Sequence, residues 1–171
     1  MISVRHLPLA AAIALCHWGC GEPETLVFES GPIPLTATAP LFEGSNTAQA
    51  SWSPDLEGFL QQHGAVPDDV RSARVVAAHL SGDSLAGLQG IRSASLMVAS
   101  DAQAMLQVAV LNPLPEGQQQ VQLTTASDQE GLAGHLRQPT LTLLADLDLS
   151  ADSDSDRHVI GSLAIELQLK K

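Results

Sequence analysis

The chain has 171 residues, enough for one domain with a real core. Nineteen Asp and Glu stand against eight Lys and Arg, a net charge of −11. Such a chain repels phosphate backbones and anionic headgroups, so nucleic acid is not an expected partner, and any hold on a membrane has to come from something other than a basic face. Aromatic residues make up 3%, tyrosine is absent, and none follows Phe59; stacking platforms of the kind that grip sugars or single-stranded bases are correspondingly scarce.

In chain order, residues 1–19 have the composition of an export signal. Arg5 is the single charge before the apolar run Leu7–Leu15, which is far shorter than the roughly 20 residues of a membrane-spanning helix. A cleaved signal peptide is the expected reading. Small and polar residues follow and end at Gly19-Cys20. This end resembles the lipobox of bacterial lipoproteins, in which a Leu and two small residues precede an invariant Cys. Gly19 supplies the small residue, while His17 and Trp18 depart from the pattern. Cys16 follows the bulky Leu15 and fits less well. The resemblance implies cleavage before Cys20, lipidation of its sulfur, and residues 20–25 as lipidated cysteine and tether. It also implies attachment to the membrane through an N-terminal lipid in a bacterial cell envelope, at the outer membrane facing the periplasm or the surface. Loss of Arg5 leaves 7 basic against 19 acidic residues, 7 − 19 = −12. Cys20 would be the one remaining cysteine, so no disulfide framework is expected.

The rest, 26–171, reads as a single domain with a period of two. Leu26–Glu29 and Ile33–Thr38 are short strands split by Gly31-Pro32. A helix is predicted after Ser53-Pro54-Asp55, with Ser53 as cap, Leu56, Phe59 and Leu60 on one face, and Gly64 as its stop. Ser72–Leu80 and Ile91–Ser100 are strand candidates. Leu106, Val108 and Val110 alternate with other residues until the turn signal Asn112–Gly117, and Val121–Thr125 follows. Ser127-Asp-Gln-Glu130 has the form of a capping box opening a second helix that carries Leu132, Ala133 and Leu136 and stops before Pro139. Leu141–Leu149 and Leu163–Leu169 alternate most regularly. Turn signals at intervals of about 10 to 15 residues predict an all-β domain. The expected fold is an antiparallel β-sandwich, immunoglobulin-like or jelly-roll-like, whose two short helices plug an end.

Two motifs carry chemistry. Gly82-Asp83-Ser84-Leu85 resembles the nucleophile block of the GDSL hydrolases, and that resemblance implies ester cleavage by Ser84. The chemistry also needs a base, an orienting carboxylate and an oxyanion hole. Asp156-Arg-His158 is one residue short of the family's Asp-x-x-His, no Gly-x-Asn-Asp block appears, and the chain after Ser84 reads as strands. A turn is the expected role, with a lipid-anchored esterase as the alternative. The second motif is the acidic run 146–156. Alternating Asp152, Asp154 and Asp156 resemble the opening of an EF-hand loop, but Arg157 stands where the Gly belongs and Leu163 where the bidentate Glu belongs. A solvated hairpin tip is expected, with a Ca²⁺-dependent binding module as the alternative.

His63, His79, His135 and His158 show no metal-ligand spacing. Trp52 is the aromatic residue best placed to offer a contact. The sequence therefore points to a non-enzymatic envelope lipoprotein, structural or binding another envelope protein, and no cofactor is expected.

Overall fold

The computed structural model describes residues 24–83 and 87–170. Nine strands form the framework: β1 (Thr25–Glu29), β2 (Ile33–Ala37), β3 (Gly44–Trp52), β4 (Val70–Gly82), β5 (Ile91–Ser100), β6 (Gln103–Leu111), β7 (Gln120–Thr125), β8 (Leu141–Leu149) and β9 (Arg157–Leu169). Two short helices, α1 (Leu56–Gln62) and α2 (Leu132–Leu136), accompany them.

The sandwich expectation is overturned. The strands run in the order β1-β9-β2-β3-β8-β5-β6-β7-β4, and β4 returns to pair with β9. All pairings are antiparallel. β1 and β2 lie end to end along one edge of β9, at Thr25↔Gln168 to Glu29↔Ala164 and Ile33↔Gly161 to Ala37↔Arg157, and so act as one broken strand. β4 occupies the other edge of β9, from Val70↔Leu169 to Gly82↔Val159. The result is a closed eight-strand antiparallel barrel. Register shifts in β4 and β5 supply the local bends that closure needs.

A barrel of this size is just wide enough to be filled by side chains. The regular alternation of β8 and β9 points Leu143, Ala145, Leu147, Leu163, Ile165 and Leu167 inward, all at most 1% exposed. Gly161 keeps the same face. A Cβ there would lie 3.1 Å from Leu35 Cδ1 and 3.2 Å from Leu143 Cδ2. The outer wall is polar, with Ser45, Thr47, Gln49 and Ser51 exposed along β3 and Thr142, Asp146 and Asp148 half-buried along β8. Apolar inside and polar outside is the reverse of a lipid-facing barrel.

The registers place both helices at one end. Thr25, Trp52, Val70, Ser100 and Leu141 mark that end, which also carries Lys170. α1 starts at Asp55, not Ser53: the Asp55 carboxylate accepts the Gly58 N–H at 3.0 Å, and Ser53 Oγ instead meets Thr140 Oγ1 at 3.3 Å. Gly64 ends α1 at φ +72° as expected, with Ala65 N–H returning to Leu60 C=O. Phe59 of α1 packs edge-on against Phe28 of β1 at 5.3 Å. α2 starts at Leu132, two residues past the end of the predicted capping box, with Gly131 at φ +99° as its cap. Its His135 is 1% exposed and is held by Ser100 Oγ at 2.9 Å and Ala104 C=O at 3.1 Å.

Candidate functional site

The opposite end of the barrel gathers Asp83 and the loops 38–43, 87–90, 112–119 and 150–156. Glu43, Asp83, Glu116, Asp148, Asp152, Asp154 and Asp156 lie there with Arg92, and Arg157 donates to Gln89 C=O at 3.3 Å. The acidic excess is not confined to this end, because Glu24, Asp55, Glu57, Asp68, Asp69, Asp101, Asp128 and Glu130 lie at the helix end.

The carboxylates of the acidic run do not converge. Asp152 Oδ1 accepts the Glu43 N–H at 2.7 Å, and Asp156 Oδ1 accepts the Ala39 N–H at 2.8 Å. Asp154 is exposed. Leu41 and Ser153 exchange both backbone hydrogen bonds at 2.9 Å. The run is thus clamped to the 38–43 loop rather than standing free as a hairpin tip. Among the described residues, no group of three or more His, Cys, Asp or Glu is arranged to hold a metal ion.

The clamp continues through Asn46. Its Oδ1 accepts the Phe42 N–H at 3.1 Å, and its Nδ2 donates to Phe42 C=O at 2.7 Å and Gly44 C=O at 2.9 Å. Phe42 itself is 63% exposed. An aromatic ring held in water by a loop tied down at Ala39, Leu41, Phe42 and Glu43 is preorganised for contact. Sequence reasoning missed Phe42, because nothing in Leu41-Phe42-Glu43-Gly44 separates an exposed ring from a buried one; Leu41 beside it is 4% exposed.

Beside this loop, Arg92 bridges Glu43 at 3.2 Å and Asp148 at 2.9 Å. The hydrogen bond with Asp148 raises its pKa above the ordinary guanidinium value, so it stays charged at any working pH. Behind it lies a groove of about 950 Å³ between the 88–92 and 112–119 segments, lined by Gln89, Arg92, Pro113, Pro115, Gln118 and Ser150 among others.

The other sequence candidates are dispersed. Cys20 and Ser84 lie outside the described residues. Gly82 ends β4 opposite Val159, and a Cβ there would stand 2.3 Å from Gly87 Cα. His158 Nδ1 meets Thr36 Oγ1 at 3.0 Å. Asp156, the nearest carboxylate in sequence, is committed to the Ala39 N–H. The motif sits on an antiparallel barrel, not on the α/β fold of the hydrolases it resembles. Trp52 is 7% exposed, at the end of β3 opposite Leu141, and packs in the core.

No family model matches the chain, and no curated protein matches it. Among solved structures, a chain of Desmodium yellow mottle tymovirus aligns over 99% of this chain and 95% of its own length, at 12% identity and a TM-score of 0.28. A likeness of that level carries no argument.

Proposed function

We propose that this is an envelope lipoprotein without catalytic activity that binds a protein partner through the loop end of its barrel. The observation that carries the reading is the polarity of the fold. The strand nearest the lipidation motif and both helices occupy one end, while the clamped Phe42 occupies the other. Residues 21–24 separate Cys20 from Thr25, and at ~3.5 Å per residue they reach no more than about 18 Å. A lipid on Cys20 therefore holds the helix end against the headgroups and turns the Phe42 end away from them. A partner matching that end offers an apolar pocket for one ring and a basic rim.

The test has two parts. Acylation is read by the mass of the N-terminal peptide from envelope preparations, expected to carry diacylglycerol at Cys20 and to lose it in Cys20→Ala. The surface is read by a photocrosslinking residue placed at Phe42 or at Val66, an exposed residue (51%) near the helix end. A discrete crosslinked product from position 42 and none from 66 is the expected outcome. Equal products from both positions, or an unmodified N-terminus, would overturn the proposal.

A further inference from the structure

β1 is held by one edge only. It has five residues and pairs with β9 alone, from Thr25↔Gln168 to Glu29↔Ala164. The contact begins where Leu169 N–H donates to Glu24 C=O at 2.9 Å and ends where Ser30 N–H donates to Leu163 C=O at 2.9 Å. Antiparallel bonding alternates along a strand, so Glu24, Leu26, Phe28 and Ser30 turn their backbone groups to β9, while Thr25, Val27 and Glu29 turn theirs to the other edge. Among the described residues, no strand pairs with that other edge.

The ring does not depend on this strand. β2 stays on β9 through Ile33–Ala37, meets β3 at Thr36↔Gln49, and closes the circle by itself. β9 is also paired with β4 from Val70↔Leu169 to Gly82↔Val159, so it keeps its place without β1. Between β1 and β2 the ladder breaks. The four steps from Glu29 to Ile33 face three on β9, from Ala164 to Gly161, and Pro32 has no N–H to give. An opening that starts at Thr25 therefore stops at this break. Side-chain burial is what keeps β1 closed, chiefly that of Phe28, which lies edge-on to Phe59 at 5.3 Å.

We infer that β1 is a releasable strap that leaves β9 as a unit while the ring stays closed. Its consequence rests on the reading of Cys20 as the anchor. With β1 docked, the lipid lies no more than about 18 Å from the barrel at Thr25. With β1 released, the free chain runs from Cys20 to Ile33, and its thirteen steps at ~3.5 Å each reach about 45 Å. Release lets the loop end with Phe42 work at a second, greater distance from the membrane.

Amide hydrogen exchange of the purified full chain tests the strap. Release frees the N–H groups of Leu26 and Phe28 and those of their partners Leu167 and Ile165 on β9. These four should exchange together, at least about hundredfold faster than Leu143 and Leu147 in β8, which is paired on both edges. Ala164 and Glu166 alternate with them along β9 and bond to β4 instead, so they should stay slow. Urea should shrink the gap, because global unfolding exposes more surface and responds more steeply. Val27 and Glu166 form a non-hydrogen-bonded pair, with Cα atoms about 4.5 Å apart and so within reach of a disulfide. In a chain carrying Cys16→Ala and Cys20→Ala, oxidised Val27→Cys/Glu166→Cys should slow the four amides by at least about tenfold, and reduction should restore them. The wild-type rates decide the matter if that variant does not fold. One common rate for odd and even residues of β9, or four amides as slow as Leu143, would overturn the inference. No lipid enters this test, so an unmodified Cys20 would remove the change in reach and leave the strap, whereas protected β1 amides in a lipidated chain would remove the strap and leave the anchor.

Discussion

Replacing His135 by leucine tests how the helix end of the barrel is held. Ala104 C=O can only accept, so His135 Nε2 carries the proton, and Nδ1 accepts from the Ser100 hydroxyl. Leucine fills a similar volume but makes neither bond. It takes one partner each from the carbonyl of exposed Ala104 and the hydroxyl of half-buried Ser100, at about 1 kcal/mol apiece because both recover some water. The expected loss is about 2 kcal/mol. With a urea slope near 2 kcal/mol/M, the unfolding midpoint should fall by about 1 M. Ser100→Ala alone should cost about 1 kcal/mol. The double variant should cost less than the sum, since the two residues share one bond, with a coupling of about 0.5–1.5 kcal/mol. A His135→Leu midpoint within error of the wild type, or strict additivity, would refute the view that this pair ties α2 to the β5–β6 turn.

Three further outcomes are expected. Gly161→Val puts γ-methyls into space where a Cβ alone already meets Leu35 and Leu143 at 3.1 and 3.2 Å, so overpacking of about 1–3 kcal/mol should lower the melting temperature by on the order of 5 °C. Because Asp152 and Asp156 are spent on the N–H groups of Glu43 and Ala39, Ca²⁺ at millimolar levels should leave the melting temperature unchanged, while Asp156→Ala should speed amide exchange at Ala39 by roughly fivefold for about 1 kcal/mol lost. A clear calcium-induced rise would restore the cation reading of the loop.

Strand content was legible where one face is dry. β5 runs from Ile91 to Ser100 and β8 from Leu141 to Leu149, the same bounds that their alternation predicts. β3 was not legible: Gly44–Trp52 buries only Ala48 and Trp52, so its sequence has no hydrophobic period to read. That omission bears on the fold class, because β3 joins β2 to β8 and completes the ring. Closure also rests on β9 pairing along both edges, a relation between residues from 77 (Gly82↔Val159) to 143 (Thr25↔Gln168) positions apart that no local pattern encodes. At the site level, the acidic run drew attention for its charge, yet its role is hydrogen bonding to the 38–43 backbone. The capping-box pattern at Ser127–Glu130 failed for a related reason: Gln129 turns away to satisfy β4, and Gly131 caps α2 in its place.

Unequal strand lengths tie these features together. β4 and β9 each run 13 residues, whereas β7 has 6 and β1 and β2 have 5 each. A ring of such strands cannot pair along its whole height, so gaps open toward the end where β4 begins and β1 begins. The chain fills them locally, with α1 against Phe28 on one side and α2 with Gln129 against β4 on the other. Closures made by side chains and one-turn helices cost less to open than backbone ladders do. The helix end is therefore closed by side chains and short helices, while the loop end is clamped by Asn46, Asp152 and Asp156 into a fixed surface. Both arrangements follow from one cause, the mismatch in length between β4 and β9 and their shorter neighbours.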